Sequence, residues 1–253
     1  MTSEQKDMKI RRAYQGFRLS DSRKGKLPDF VFDKEFRSML LKASTEALVY
    51  SLDVNNHQDL NEMPTLPVHV VISGAKLMGE TLEKYSSTWR VLEVMAGNCC
   101  GSRFLFNSAK KIIPIEQWIC TDIIDYKKTI KEPEIHFEKM DAIKSVHTYF
   151  DSVNVLLMMC PPPSDVMYDG KINPLCLSDF YPIVDWIEMS KKVKENKFIV
   201  FIGELGGSDG TEGMYRFMLD HSELNLECRQ MLIKAHNQFG IIEKEIFIFR
   251  VKN

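Results

Sequence analysis

Two hydrophobic patterns follow one another along this chain of 253 residues. Across residues 33–52 apolar positions recur at steps of three and four, which is the spacing of an amphipathic helix. The polar stretch 53–67 predicts a loop, and a second helix is expected at 68–84. From residue 89 onward, short continuous apolar runs alternate with amphipathic segments. This alternation predicts an α/β fold around a parallel sheet whose strands are buried on both faces.

The second pattern also gives the bounds of the expected elements. Six strands are predicted at 90–95, 117–121, 134–139, 153–159, 197–202 and 245–251, with a further strand around 224–232. Helices are predicted between them at 102–111, 142–150, 177–193 and 213–220. The chain accordingly divides into an arm at 1–30, a helical extension at 31–88 and a sheet-containing domain at 89–253.

The arm at 1–30 differs from the rest of the chain because it carries an excess of lysine and arginine. It could contact nucleic acid or an acidic partner protein, or it could be a solvated terminus. The whole chain has a formal net charge of -2, so no overall field draws it to nucleic acid or to an anionic membrane.

The lengths of the apolar runs and the spacing of the cysteines argue against a membrane protein, a secreted protein and a zinc-binding protein. No run reaches the roughly eighteen residues of a membrane span, and the first residues lack the apolar stretch of a signal peptide. The six cysteines show no metal-binding spacing. We therefore expect a soluble cytoplasmic protein, with the nucleus left open, that has reduced thiols, no metal site and no membrane contact.

A turn suited to a nucleotide-like cofactor follows the first predicted strand. It reads EVMAGNCCG from residue 93 to 101, and a predicted helix comes next. Small residues let the backbone approach a ligand, and the amide groups at a helix start favour carboxylate or phosphate. The dinucleotide fingerprint G-x-G-x-x-G is absent, which disfavours a nicotinamide oxidoreductase.

This turn resembles the first motif of class I S-adenosylmethionine-dependent methyltransferases, which runs acidic residue, x, Gly, x, Gly, x, Gly. Glu93 takes the acidic place and Gly97 the central glycine, whereas Met95 and Cys99 replace the flanking glycines. The resemblance implies an S-adenosyl-L-methionine cofactor held at the turn. The residues it assigns there are Glu93, Met95, Ala96, Gly97 and Asn98.

Two later strand ends resemble the same family in the same order. Asp122 ends the second strand, where the family binds the ribose hydroxyls, and Asp125 is the nearby alternative. Asp141 ends the third strand, where the family binds adenine; it is also a good N-cap for the next helix. The resemblance adds Ile123 and Ala142 to the cofactor-binding residues.

The fourth strand stops in the sequence CPPP at residues 160–163. It resembles the acceptor motif of amino-methylating enzymes, in which Asp, Asn or Ser precedes two prolines and an aromatic residue. Cys160 stands in the polar place, where it also adjoins the cofactor, and Pro163 in the aromatic one. The resemblance places acceptor positioning on Cys160, Pro161 and Pro162; a purely structural turn is the alternative.

The resemblance also completes the expected fold and function. It implies a Rossmann-like, mostly parallel sheet of about seven strands with an antiparallel C-terminal strand, helices on both faces and an N-terminal helical extension. The implied function is methyl transfer to an unidentified small molecule, protein or nucleic acid. A catalytically inactive methyltransferase-like module that binds or scaffolds a partner protein is the alternative. Glu204, at the end of the fifth strand, could hold a substrate or be a surface acid.

Overall fold

Five α-helices, one 3-10 helix and nine strands occupy the part of the chain that this computed structural model describes, which is residues 68–97, 99–125, 132–161, 167–168, 171–172, 179–204, 209–210, 212–237 and 240–252. The helices are α1 (Val68–Leu82), α2 (Cys100–Ala109), α3 (Ala142–Tyr149), α4 (Tyr181–Ser190) and α5 (Glu212–Asp220). The strands are β1 (Trp89–Val94), β2 (Ile115–Asp122), β3 (Ile135–Lys139), β4 (Val155–Met159), β5 (Met167–Tyr168), β6 (Lys171–Ile172), β7 (Phe198–Gly203), β8 (Leu224–Asn237) and β9 (Gly240–Val251).

Seven of the strands form one sheet in the order β3-β2-β1-β4-β7-β9-β8. The pairs from β3 to β7 are parallel, and β9 is antiparallel to both of its neighbours. The order matches the doubly wound pattern, except that the last strand inserts beside β7. The predicted Rossmann-like sheet with an antiparallel C-terminal strand is therefore confirmed.

The helices lie on both faces of this sheet, as predicted. Helices α1 and α2 share one apolar cluster with the side chains on one face of β1, among them Val91. Helices α3, α4 and α5 share another cluster with the opposite face, where Leu92 lies. All six residues of β7 are buried, which agrees with a continuous apolar run covered on two sides.

Several element bounds differ from the predicted ones for local reasons. Helix α4 begins at Tyr181 rather than at 177, with a proline in its first turn, where the missing N–H costs nothing. Strand β4 begins two residues late because a 3-10 helix at Phe150–Ser152 precedes it and the side chain of Asn154 accepts a hydrogen bond from Arg90 N at 2.9 Å. Strands β8 and β9 extend toward each other as a long hairpin, and the short β5–β6 hairpin was not expected.

The N-terminal predictions are only partly within the described residues. Helix α1 agrees with the expected helix at 68–84 and packs against α2. The arm at 1–30 and the helix at 33–52 lie outside the described residues, so the division at residue 88 stays a prediction. Within the ranges given above, no helix is long and apolar enough to cross a membrane, and no group of side chains could hold a metal ion.

Candidate functional site

The strand order reverses between β1 and β4, because the chain continues to β2 and β3 on one side and to β7 on the other. In open α/β sheets, ligands bind in the crevice at the carboxyl ends of the strands beside such a reversal. The predicted site residues lie at or just after the carboxyl ends of β1, β2, β3 and β4. The fold therefore brings the four predicted strand ends to one edge of the sheet.

The turn after β1 has left-handed backbone at the three places where the family motif has glycine. Met95, Gly97 and Cys99 each have φ 56°. A non-glycine residue there costs about 1–2 kcal/mol, so Met95 and Cys99 hold strained positions that glycine would adopt freely. The turn is fixed by hydrogen bonds from Ala96 N to Thr121 O at 3.1 Å and from Cys99 N to Ala96 O at 3.0 Å. Asn98 lies outside the described residues.

Asp122 connects the end of β2 to this turn. Its Oδ2 accepts a hydrogen bond from Gly97 N at 2.9 Å, and its Oδ1 accepts one from Ile124 N at 2.9 Å. Burial raises the pKa of Asp122 above its ordinary value. A Cβ built on Gly97 would meet no heavy atom within 4 Å, so the space beside the turn is open. Asp125, the alternative, is exposed at the surface.

Asp141 caps helix α3. Its Oδ1 accepts hydrogen bonds from Ile143 N at 2.9 Å and from Lys144 N at 3.2 Å, which confirms the N-cap interpretation. The end of β3 is attached to the end of β2 because Met140 N donates to Asp122 O at 2.8 Å. Asp141 directly follows Met140, so this hydrogen bond also keeps Asp141 near the end of β2.

Glu93 lies inside the sheet rather than in the crevice. Its side chain is wholly buried and accepts hydrogen bonds from Trp118 Nε1 at 3.2 Å and from Cys120 Sγ at 3.5 Å. Burial raises the pKa of Glu93 to about 7, and the hydrogen bonds from Trp118 and Cys120 offset only part of this increase. Among the described residues, Glu93 Oε1 has no hydrogen-bond partner. The carboxyl group thus links β1 to β2 inside the sheet.

The turn after β4 is held by two main-chain hydrogen bonds. Cys160 has φ 48°, and its N donates to Ile202 O on β7 at 2.7 Å. Pro161 is buried, and its carbonyl accepts a hydrogen bond from Gly210 N at 2.7 Å. Pro162 lies outside the described residues. The Cys160–Pro161 turn is therefore fastened to β7 and to the segment that follows it.

A buried ion-pair cluster lies beside this turn, and the sequence did not predict it. Lys244 Nζ pairs with Asp209 and, at 3.4 Å, with Glu204 Oε2. Lys244 and Asp209 are each only 7% exposed. Lys244 is one of several charged residues in β9, so the sequence does not single it out, and its partners precede it by 35 and 40 residues.

The cluster changes the chemistry of Cys160. Burial, and after it the negative charge of Asp209, raises the pKa of the Cys160 thiol. The thiol is therefore protonated at neutral pH and is not an activated nucleophile. Burial by itself would lower the pKa of Lys244, but the hydrogen bond and charge of Asp209 raise it, so the ammonium is charged.

Comparisons with known proteins agree with the fold. No protein-family model matches the chain, and no curated protein is similar to it in sequence. A solved structure of a candidate class I S-adenosylmethionine-dependent methyltransferase from Listeria monocytogenes is similar over 100% of this chain and 76% of its own, with a TM-score of 0.51 and 13% identity. At this identity, the similarity shows that the chain has the class I methyltransferase fold.

Another similar structure is the 1,6-didemethyltoxoflavin-N1-methyltransferase of Burkholderia thailandensis, which was crystallised with S-adenosylhomocysteine. It covers 87% of this chain and 90% of its own at 9% identity, with a TM-score of 0.44. That similarity is too distant to bear on function.

Proposed function

We propose that this chain is an S-adenosylmethionine-dependent methyltransferase. The observation that supports this most is the hydrogen bond from Gly97 N to Asp122, which joins two strand ends beside the reversal of strand order. A carboxylate has about four lone-pair sites, so the bonds from Gly97 and Ile124 leave capacity for ribose hydroxyls. The open space beside Gly97 suits a ligand that approaches the backbone closely.

The bound cofactor would supply an electrophilic methyl group on a positively charged sulfur. The residues of this chain would bind and align the reactants, which accounts for most of the rate gain in such a transfer. Asp122 would hold the ribose, and Asp141 with the main-chain amide of Ala142 would face the adenine, since the next two amide groups of α3 donate to Asp141. The turn at Cys160 and Pro161 would carry the acceptor, whose identity as small molecule, protein or nucleic acid is left open.

Calorimetric titration with S-adenosylmethionine and S-adenosylhomocysteine tests cofactor binding. We expect wild-type protein to bind both, and Asp122→Asn to lose binding while it stays folded, with a lower unfolding temperature because its amide nitrogen cannot accept one of the two main-chain hydrogen bonds. Asp151→Asn, an exposed aspartate after α3, is the matched control. Absence of binding by the wild type at millimolar cofactor would end the proposal. Loss of binding in Asp125→Asn but not in Asp122→Asn would move the ribose to Asp125.

The alternative is an inactive methyltransferase-like module that binds or scaffolds a partner protein. It is motivated by the replacement of motif residues at Met95, Cys99 and Cys160. The left-handed backbone at all three positions argues against loss of the site, because the chain keeps a costly conformation there. Mass spectrometry of cell extract incubated with the protein and methyl-labelled cofactor separates the two functions, since only an enzyme labels an acceptor.

A further inference from the structure

The cluster of Glu204, Asp209 and Lys244 is connected directly to the Cys160–Pro161 turn. Lys244 on β9 binds the side chain of Asp209. Tyr215 Oη donates to the carbonyl of Asp209 at 2.9 Å. The next residue, Gly210, donates its N–H to Pro161 O at 2.7 Å. Asp209 is therefore held through its side chain, its carbonyl and the following amide, and it links β9 to the turn.

Glu204 is held less tightly than Asp209. Its Oε2 lies 3.4 Å from Lys244 Nζ, beyond an ordinary hydrogen bond between charged groups. The side chain of Glu204 is 18% exposed, against 10% for Asp209 and 8% for Lys244. Because Lys244 is engaged by Asp209, Glu204 is the carboxylate of this cluster that is open to a ligand.

The charges of the cluster do not balance. Two carboxylates and one ammonium leave one negative charge at the carboxyl edge of β4 and β7. The protonated Cys160 thiol adds no charge to it. In a partly desolvated site such an excess favours a cationic or hydrogen-donating group and disfavours an anionic one.

We propose that Glu204 binds the nitrogen of an amine acceptor, while Asp209 and Lys244 position the turn against which that acceptor lies. The inference rests on the proposed methyltransferase function and narrows its substrate class. A carboxylate acceptor would bring a second negative charge beside Glu204, and a hydroxyl, unlike an amine, cannot bind as a cation that matches the excess charge.

The transfer balances with these groups. An amine that binds as an ammonium first gives one proton to solvent. The lone pair of the resulting neutral amine then forms the bond to the methyl carbon, and the carbon–sulfur bond breaks with its electron pair returning to sulfur. The nitrogen is then positively charged and carries one proton more than the neutral product. Glu204 accepts that proton and passes it to solvent, to which its side chain is partly open.

Sinefungin tests the inference without a known acceptor, because a carbon that bears a primary amine replaces its methylsulfonium. Calorimetry compares its affinity with that of the uncharged-sulfur product S-adenosylhomocysteine. We expect Glu204→Gln to weaken sinefungin about tenfold and to leave S-adenosylhomocysteine within about twofold. Glu204→Asp should retain part of the sinefungin affinity. Glu243→Gln, which removes an exposed carboxylate paired with Lys234 on the same hairpin, is the control.

The outcomes separate this inference from the one on which it rests. Equal effects of Glu204→Gln on both ligands, or no effect on either, would overturn the role of Glu204 and leave cofactor binding intact. Failure of the wild type to bind S-adenosylhomocysteine would overturn both. In extract supplied with trideuteromethyl-labelled cofactor, label on nitrogen supports the amine class, and label on oxygen or sulfur contradicts it.

Discussion

Two buried lysines lie at opposite ends of the same part of the sheet, and they are neutralised in different ways. Lys197, at the amino end of β7, is 1% exposed and donates to the carbonyl groups of Phe150, at 2.9 Å, and Val153. Its Nζ also lies 2.9 Å from Glu195 and 4.6 Å from the centroid of the Phe150 ring. Main-chain carbonyls thus supply much of its coordination.

Lys244, at the carboxyl end, depends instead on the carboxylates of Asp209 and Glu204. Carbonyl groups neither titrate nor rotate away, whereas carboxylates can take up a proton or exchange an ammonium for a ligand. The contacts of Lys197 at the amino end therefore stabilise the fold, whereas the carboxylates around Lys244 at the carboxyl end can also respond to a bound substrate. The predictions below test this difference.

Lys244→Met should have the largest effect on stability. Removing the ammonium leaves two carboxylates without a counter-charge, which for a buried pair costs about 4 kcal/mol at neutral pH. The loss should shrink as the pH falls, because a shared proton relieves the repulsion between two neighbouring carboxylates that have lost their cation. Urea unfolding at pH 7.5 and pH 5 measures it, with exposed Lys234→Met as the control. An equal loss at both pH values would contradict the comparison.

Glu93→Gln tests a buried carboxyl group that has no cation beside it among the described residues. The native pKa of about 7 lies above the unfolded value of 4.5, so protonated Glu93 stabilises the fold fully below pH 4.5. That stability, about 3 kcal/mol, is lost as the pH rises to about 7. The variant should lack this pH dependence and be more stable than the wild type at pH 8. Parallel stability–pH curves for the two proteins would refute this.

Lys197→Met should cost about 2 kcal/mol, since two buried carbonyls lose their donor while a desolvated ammonium is removed. Unlike the loss in Lys244→Met, this one should not change between pH 7.5 and pH 5. Affinity for S-adenosylhomocysteine should also be unchanged. Lys252→Met, in which an exposed lysine donates to Ser222 O at 2.6 Å, is the matched control. A pH-dependent loss would show that Glu195, not the carbonyls, dominates at this end.

The order of the strand ends could be predicted from the sequence because each depends on a local pattern. Continuous apolar runs gave the strands, and Asp122 and Asp141 stand where those runs stop. The conformation of the turn could not be predicted, since Met95 and Cys99 are not residues that indicate left-handed backbone. Neither could the inward direction of Glu93, because it depends on Trp118 and Cys120 of the neighbouring strand.

The sequence by itself determined the α/β fold and the residues that end the first four strands of the domain, whereas the antiparallel last strand was expected only from the family resemblance. Periodicity and turn chemistry are local, so they can be read along the chain. Only the tertiary structure decided that Lys244 meets Asp209 and Glu204 beside the Cys160–Pro161 turn. That meeting requires β9 to insert antiparallel beside β7, a long-range pairing whose register no local pattern specifies.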